Sequence, residues 1–213
     1  MIGRLERTLE KLTRSGITEG FYLAGGTAVA IKYGHRRSED FDFFAFPDRQ
    51  INLNKITALL GNEARWITAD EETAIFIHLP ENVKTSFFVY PYPLLEKPGF
   101  HEELRIFIAS DIDTTCMKAI AIAQRGSKKD FYDLWYLMQK HGWTLNDLEN
   151  ALKRKVPSWS FGIFLRSLTY FENAEKESYP GIDERWEEVK EFFKGLVNVR
   201  RKKRQRRGNR PTL

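Results

Sequence analysis

Two acidic residues two positions apart, Asp40 and Asp42, are the side chains of this sequence best suited to chemistry. Residues 41–46 predict a β-strand, and residues two apart on a strand point to the same face. Phe41 and Phe43 then point to the opposite face, into the core. Two neighbouring carboxylates form an anionic, oxygen-only site, which suits Mg²⁺ bound together with substrate phosphates and water. Asp40 and Asp42 are therefore candidate metal ligands and catalytic residues for phosphoryl chemistry.

A Gly25-Gly26-Thr27 turn precedes this pair. Residues 21–24 predict a strand and residues 28–33 a short helix, which Thr27 is expected to cap. Glycine lets the backbone approach a phosphate closely, and the free amides at a helix N-terminus attract the anion. Thr27 would add a hydroxyl donor. Either motif alone is weak, and Gly-Gly-Thr alone is more often an ordinary turn. Their order along the chain is more specific.

A second charged cluster lies on two consecutive predicted helices. Lys118 and Arg125 are seven residues apart on one helix and so share a face. Asp130 and Asp133 share a face of the next helix. As functional residues, Lys118 would hold triphosphate oxygens, Arg125 or Lys129 would hold a phosphate, and Asp130 would act as a general base or orient Lys118. The alternative is a salt-bridged helical hairpin, in which each surface pair contributes little.

Composition places these residues in a globular chain of 213 residues, with 42% hydrophobic and 14% aromatic content. No apolar run approaches the ~20 residues of a membrane span, so we expect no membrane association. The single cysteine, Cys116, is consistent with a reducing compartment and is expected to be a small buried residue. We therefore expect a soluble, cytoplasmic protein.

Predicted elements divide the chain into three parts. Residues 1–110 mix helices with strands at 21–24, 41–46, 64–68, 74–79, 85–90 and 104–108, and form an α/β domain. Residues 111–197 are predicted to be helical and to close a cleft with the first domain. Residues 198–213 contain most of a dense run of arginine and lysine, which we expect to form a disordered tail that can attract a polyanion.

The motifs resemble one known family. Gly25-Gly26, followed after thirteen residues by Asp40-Phe41-Asp42-Phe43, is similar to the motif of DNA polymerase β-like nucleotidyltransferases. One branch of that superfamily is resembled more closely by two longer strings, Leu23-Ala24-Gly25-Gly26-Thr27-Ala28 and His35-Arg36-Arg37-Ser38-Glu39-Asp40-Phe41-Asp42-Phe43-Phe44. Together with Lys118-Ala119, Arg125 and Lys129-Asp130-Phe131-Tyr132-Asp133-Leu134, they most resemble the AbiEii/AbiGii toxin family of type IV toxin–antitoxin systems. The resemblance with specific motifs covers roughly residues 20–140.

The resemblance implies an α/β (α+β) nucleotidyltransferase minimal fold, a mixed sheet with flanking helices, followed by a C-terminal helical bundle. It also implies transfer of a nucleoside monophosphate from a nucleoside triphosphate to an acceptor, RNA such as tRNA or a protein, with Mg²⁺. A cognate antitoxin protein is the implied partner. Arg36 and Ser38, in the loop before the strand of Asp40, are predicted to contact the nucleotide with Gly25, Gly26 and Thr27.

One departure from that family leaves alternatives open. Polymerase β-like enzymes usually carry a third carboxylate on a later strand, where this chain has Ser86. One metal rather than two would then suffice, or Asp130 would complete the chemistry. A nucleotide- or RNA-binding module that uses the same cleft and the basic tail with little turnover is the second hypothesis. A metal-dependent phosphohydrolase is a weaker third, since the sequence lacks His-Asp metal pairs.

Overall fold

We describe the protein from a computed structural model. The structure describes residues 3–208, and side chains for residues 3–200. It divides into two compact units, Met1–Thr114 and Thr115–Leu213. This division lies four residues beyond the boundary expected at residue 110.

The first unit is built on one mixed sheet. Its seven strands are β1 (Phe21–Ala24), β2 (Asp40–Ala45), β3 (Ala64–Ala69), β4 (Thr73–His78), β5 (Val83–Phe88), β6 (Gly99–His101) and β7 (Ile106–Ile108). Their spatial order is β3-β4-β5-β2-β1-β7-β6. The β1–β7 and β2–β5 pairs are parallel, whereas β2 runs antiparallel to β1. The strand β2 therefore lies at the centre of the sheet, between β5 and β1.

Three helices accompany the sheet: α1 (Arg4–Arg14), α2 (Gly25–Tyr33) and α3 (Leu53–Leu60). Leu5, Leu9 and Leu12 have the spacing of one helix face, and all three are buried on one face of α1. Gly34 ends α2 in the left-handed conformation, which glycine adopts without a Cβ clash. The expectation that Thr27 caps α2 is wrong, because the helix already begins at Gly25.

One face of the sheet carries the core of this unit. Phe41 and Phe43 of β2 are fully buried there, as the alternation predicts, and Phe43 stacks on Phe87 of β5 with ring centroids 5.1 Å apart. Phe21 of β1 meets Phe87 edge-on at 4.8 Å. Asp40 and Asp42 point to the other face, where Tyr22 is also buried. Burial, and then the charge of Asp113, raise the pKa of Tyr22.

Helices form the second unit, and the first of them starts just before it. They are α4 (Asp111–Gln124), α5 (Lys128–His141), α6 (Leu145–Lys155), α7 (Phe161–Ser167), α8 (Glu172–Glu175) and α9 (Trp186–Gly208). A capping box between Thr144 and Asp147 starts α6. Phe131 of α5 anchors the core, with Phe193 of α9 5.6 Å away. Cys116 is buried, as expected.

Two expectations for the helical half need correction. Residues 111–197 were predicted to be helical, but α7 ends at Ser167 and is followed by the separate single turn α8. The basic run expected to be disordered from residue 198 continues α9 as far as Gly208, and residues 209–213 lie outside the described part of the chain. Arg200 is held by Glu149 and Asn146, which fixes the start of that run. Within the described residues, no helix is both long and apolar enough to cross a membrane.

Candidate active site

The aspartate pair lies on the face of β2 opposite the core. Asp40 and Asp42 are half-buried, whereas Phe41 between them is fully buried. Asp42 is in register with Ala24 at the end of β1, on one side, and with Ser86 of β5 on the other. Both carboxylates therefore project from the central strand of the sheet, next to the point where β1 ends and α2 begins.

The glycine turn holds the helix start against the Asp42 carboxylate. Gly25 has φ +71°, a conformation that side chains other than glycine rarely adopt. A Cβ placed on Gly25 would lie 3.2 Å from Asp42 Oδ2. The first amides of α2, which have no partner within their own helix, are thus beside the acidic pair. A triphosphate at this point would meet both a hard cation site and a helix N-terminus.

Thr27 ties this helix to the strand. Its hydroxyl donates to the backbone carbonyl of Asp40 and shares a second hydrogen bond with the Ser38 hydroxyl. Because a hydroxyl has a single proton, Ser38 is then the donor to Thr27. In this arrangement Thr27 and Ser38 position the start of β2, and the proton of Thr27 is not available to a phosphate.

Ser86 occupies the position beside Asp42 where a third carboxylate was expected. It is fully buried, and among the described residues its Oγ has no hydrogen-bond partner. Lys84, two residues earlier, is exposed and in register with Asp40. The part of the chain described by the structure contains no group of three or more His, Cys, Asp or Glu side chains placed to hold a metal ion. Two carboxylates with an unpaired hydroxyl beside them fit one Mg²⁺ that takes its remaining ligands from phosphate and water.

The second cluster is a buried ion network in the helical unit. Lys118 Nζ lies 2.9 Å from Asp130 Oδ1 and 2.8 Å from Asp133 Oδ2. Arg125 reaches Asp130 with Nε at 2.7 Å from Oδ2 and Nη2 at 3.0 Å from Oδ1. Gly126, with φ +61°, makes the turn that brings Arg125 back onto α5. The network differs from a surface salt bridge, because Asp130, Asp133 and Lys118 are all buried.

Electrostatics keep Asp130 ionised. Burial alone would raise its pKa, but the charge of Lys118 and the hydrogen bonds and charge of Arg125 outweigh burial and hold the pKa below its ordinary value. A carboxylate with both oxygens engaged and a lowered pKa is a weak proton acceptor. Between the two roles left open for Asp130, the geometry favours orienting Lys118 and Arg125.

The remaining predicted residues have their own neighbours. Lys129 lies over the ring of Tyr179, 4.4 Å from its centroid, and Arg36 donates to the carbonyl of Arg37 in the loop before β2. The sequence reasoning missed Glu177, which accepts hydrogen bonds from Ser127 Oγ at 2.8 Å and from the Lys128 amide at 2.7 Å. No local pattern marks Glu177, because it lies about fifty residues from these partners.

The predicted site residues thus belong to two groups, each within one unit. The first unit holds the metal-site residues and the α2 residues, and the second holds the ion network. The lists are Gly25, Gly26, Thr27, Arg36, Ser38, Asp40 and Asp42 in the first unit, and Lys118, Arg125, Lys129 and Asp130 in the second.

Comparison with known structures identifies the fold. The fold is that of a nucleotidyltransferase: a crystal structure of a proposed nucleotidyltransferase from H. pylori superimposes with a TM-score of 0.53 and 19% identity, covering 94% of this chain and 98% of that one. A weaker likeness, with a TM-score of 0.42, 10% identity and coverage of 76% and 88%, is to the antibiotic-resistance factor ANT(2'')-Ia. The α/β fold expected from the sequence is confirmed.

The family follows from the sequence. Residues 7–201 match the family described as nucleotidyl transferase AbiEii toxin, type IV toxin–antitoxin system, and this chain belongs to that family. An uncharacterised protein of Aquifex aeolicus (strain VF5), aq_aa25, is 53% identical over 191 residues, which are 89% of this chain and 92% of that protein. The resemblance first seen in residues 20–140 thus extends over most of the chain.

Proposed function

We propose that this protein transfers a nucleoside monophosphate from a nucleoside triphosphate to an acceptor hydroxyl on RNA, with tRNA the first acceptor to test and protein the second. The acceptor hydroxyl oxygen forms a bond to the α-phosphorus and loses its proton to water. The bond from the α-phosphorus to the oxygen that bridges it to the β-phosphorus breaks, and pyrophosphate leaves with that electron pair. The observation that carries the proposal is the close approach of the Asp42 carboxylate to the Gly25 turn at the start of α2, where an added Cβ would lie 3.2 Å from Asp42 Oδ2.

Asp40 and Asp42 would hold Mg²⁺ in this reaction. When bound, the ion neutralises triphosphate charge and orients the phosphate under attack. The Gly25-Gly26 amides at the start of α2 would bind phosphate oxygens, and Thr27 with Ser38 would keep β2 in place beneath them. Arg36, in the loop just before β2, is proposed as a further phosphate contact.

Asp130 would serve as a positioning residue. It orders Lys118 and Arg125, whose charges are proposed to bind triphosphate oxygens, and Lys129 would contact an acceptor phosphate. Substitution of a positioning residue should raise KM for the triphosphate and lower kcat, and the conservative Asp130→Glu should restore part of both.

Radiolabelled transfer tests the proposal directly. The protein is incubated with Mg²⁺, each of the four α-labelled triphosphates and total RNA, and labelled RNA and protein are resolved. Asp42→Asn should abolish labelling, because it removes a metal-binding charge. Asp48→Asn, an exposed residue just beyond β2, should not change it. If Asp42→Asn labels at the wild-type rate, the site is misassigned. If no acceptor is labelled, the proposed reaction is wrong.

A second candidate, nucleotide or RNA binding with little turnover, is favoured by Ser86, which replaces the expected third acid. Calorimetry separates the two functions. The binding module would be supported over the enzyme by two results together. The wild type, but not Asp42→Asn, would release heat on binding the triphosphate, and the wild type would form no labelled product.

The biological role follows the family. We propose that the protein acts as the toxin of a cytoplasmic type IV toxin–antitoxin pair and that a cognate antitoxin protein counteracts it. Induced expression should slow growth, and Asp42→Asn should not. Co-expression of the protein encoded by the adjacent gene should restore growth.

A further inference from the structure

Five aromatic side chains form one row across the sheet, on the same face as the aspartate pair. Successive members are register partners on neighbouring strands, from β6 through β7, β1 and β2 to β5. Side chains in register on adjacent strands point to the same face. The members, in spatial order, are Phe100, Phe107, Tyr22, Phe44 and Phe88.

The row is buried at its centre and open at one end. Tyr22 and Phe44 are 2% and 9% exposed, whereas Phe107 and Phe100 are 39% and 47% exposed. Phe100 and Phe107 have ring centroids 5.0 Å apart, and Phe46 lies 5.2 Å from Phe107 at an interplanar angle of 89°. We call Phe46, Phe100 and Phe107 the aromatic patch. Because Ile106 and Ile108 are buried on the core face of the sheet, the alternation of side chains along β7 places Phe107 on the opposite face.

The aromatic row runs beside the row that contains Asp42. Ala24, Asp42 and Ser86 are in register on β1, β2 and β5, and each lies two residues from a member of the aromatic row. At ~4.8 Å between strands and ~3.4 Å per residue, Phe107 lies about 12 Å from Asp42 across the sheet. A short single strand can span that distance.

We propose that the aromatic patch stacks an unpaired base of the RNA acceptor, close to the nucleotide that receives the transferred group; this rests on the proposed function. Aromatic side chains on a sheet surface bind single strands through the flat face that every base presents. The exposed parts of Phe100 and Phe107 amount to roughly 150–200 Å², well short of the ~800 Å² per partner of a stable protein interface. The patch fits a base better than a protein partner.

Oligonucleotide binding without triphosphate tests this contact. Anisotropy is measured with a labelled oligouridylate of about eight nucleotides, within the usual site size, and with the same strand in a duplex. The wild type should prefer the single strand, because a paired base offers no free face. Phe100→Ala and Phe107→Ala should each weaken single-strand binding roughly 5- to 150-fold, whereas Phe107→Tyr should retain it. Tyr170→Ala, which removes an exposed aromatic side chain from the helical unit, should leave it unchanged.

The outcomes separate the patch from the proposed reaction. Asp42→Asn should lose transfer of the nucleotide but keep oligonucleotide binding. The transfer assay therefore tests the proposed reaction, and the binding assay tests the aromatic patch. Unchanged binding in both alanine variants would overturn the patch, even if the wild type labels RNA. Full binding by Phe107→Leu would also overturn it, because leucine keeps the apolar contact but cannot stack. Equal affinity for the single strand and the duplex would also overturn the patch, because protein contacts to the phosphate backbone do not require an unpaired base.

Discussion

Asp42 and Gly25 lie beside each other in the candidate site, on the central strand and at the start of α2. A Cβ on Gly25 would lie 3.2 Å from Asp42 Oδ2, tighter than an ordinary contact, so the site depends on the absence of a Cβ as well as on the acid. Because position 86 carries a serine rather than an acid, Asp40 and Asp42 are the principal oxygen donors for a metal on this face of the sheet. At the scale of single residues, the chemistry thus depends on two carboxylates and one glycine.

Gly25→Ala should therefore reduce transfer more than it reduces stability. It introduces strain at φ +71° and displaces Asp42 Oδ2, so we expect at least a tenfold loss of kcat with about 1 kcal/mol lost from the free energy of unfolding. Gly142→Ala is the matched control, since Gly142 has φ +64° and no neighbour within 4 Å of a Cβ. Urea unfolding and the transfer assay give the two values. Equal loss of activity in both variants would show a stability effect only.

Asp130→Asn should be destabilising near neutral pH, by about 2 kcal/mol, because Lys118 and Arg125 lose their hydrogen bonds to a charged acceptor, although Lys118 keeps Asp133. The pKa of Asp130 is lowered in the folded protein, so its contribution is complete above the unfolded value of ~4 and is lost as pH falls through the folded value. The stability gap between wild type and variant should therefore narrow below about pH 4.

Urea unfolding across pH measures this gap. Asp147→Asn removes an exposed carboxylate whose pKa is also lowered, here by hydrogen bonds from Thr144, and should show a smaller gap. A pH-independent gap in Asp130→Asn would contradict the assignment of ionised Asp130 as the centre of the network.

At the scale of elements, α2 and β2 act as one assembly, because Thr27 joins the helix to the first residue of the strand. Thr27→Val keeps the shape and removes both hydrogen bonds, so we expect a loss of about 1 kcal/mol and a several-fold lower kcat as Asp40 shifts. Thr13→Val, which removes a similar bond to a carbonyl on the exposed side of α1, should change neither measurably. Wild-type kcat in Thr27→Val would show that the strand does not need this tie.

Elements with strong local patterns were predictable. The apolar spacing of α1 and the helix-ending Gly61 and Gly142 needed no tertiary information. The strand β6 was missed, because three residues, Gly99–His101, carry no alternation and form a strand only by pairing with β7. The aspartate pair followed from a period of two, whereas the Arg125 fork onto Asp130 depends on the turn at Gly126 and could not be read from spacing.

At the scale of the molecule, charge is concentrated at the end of α9. Removal of residues 201–213 removes seven basic side chains from a chain of net charge +5, while Arg200 and its contacts to Glu149 and Asn146 remain. If this segment binds RNA, the slope of log affinity against log salt should become less steep by up to about 5. A variant with residues 201–213 in scrambled order keeps the charge and should keep the slope. An unchanged slope after deletion would show that the segment is not the contact.

The buried Tyr22 gives the first unit a built-in optical reporter. Folding keeps its proton in place above pH ~10, where an unfolded tyrosine loses it, so stability should fall as the solution becomes more alkaline. Tyrosinate absorbs in the near ultraviolet at longer wavelength than tyrosine, and its appearance at Tyr22 should coincide with unfolding rather than precede it. The other seven tyrosines also ionise at alkaline pH, so the Tyr22 step is the difference in absorbance between the wild type and Tyr22→Phe. Tyr22→Phe should unfold at higher pH, and this difference would let the unfolding of the nucleotidyltransferase sheet be followed without any added dye.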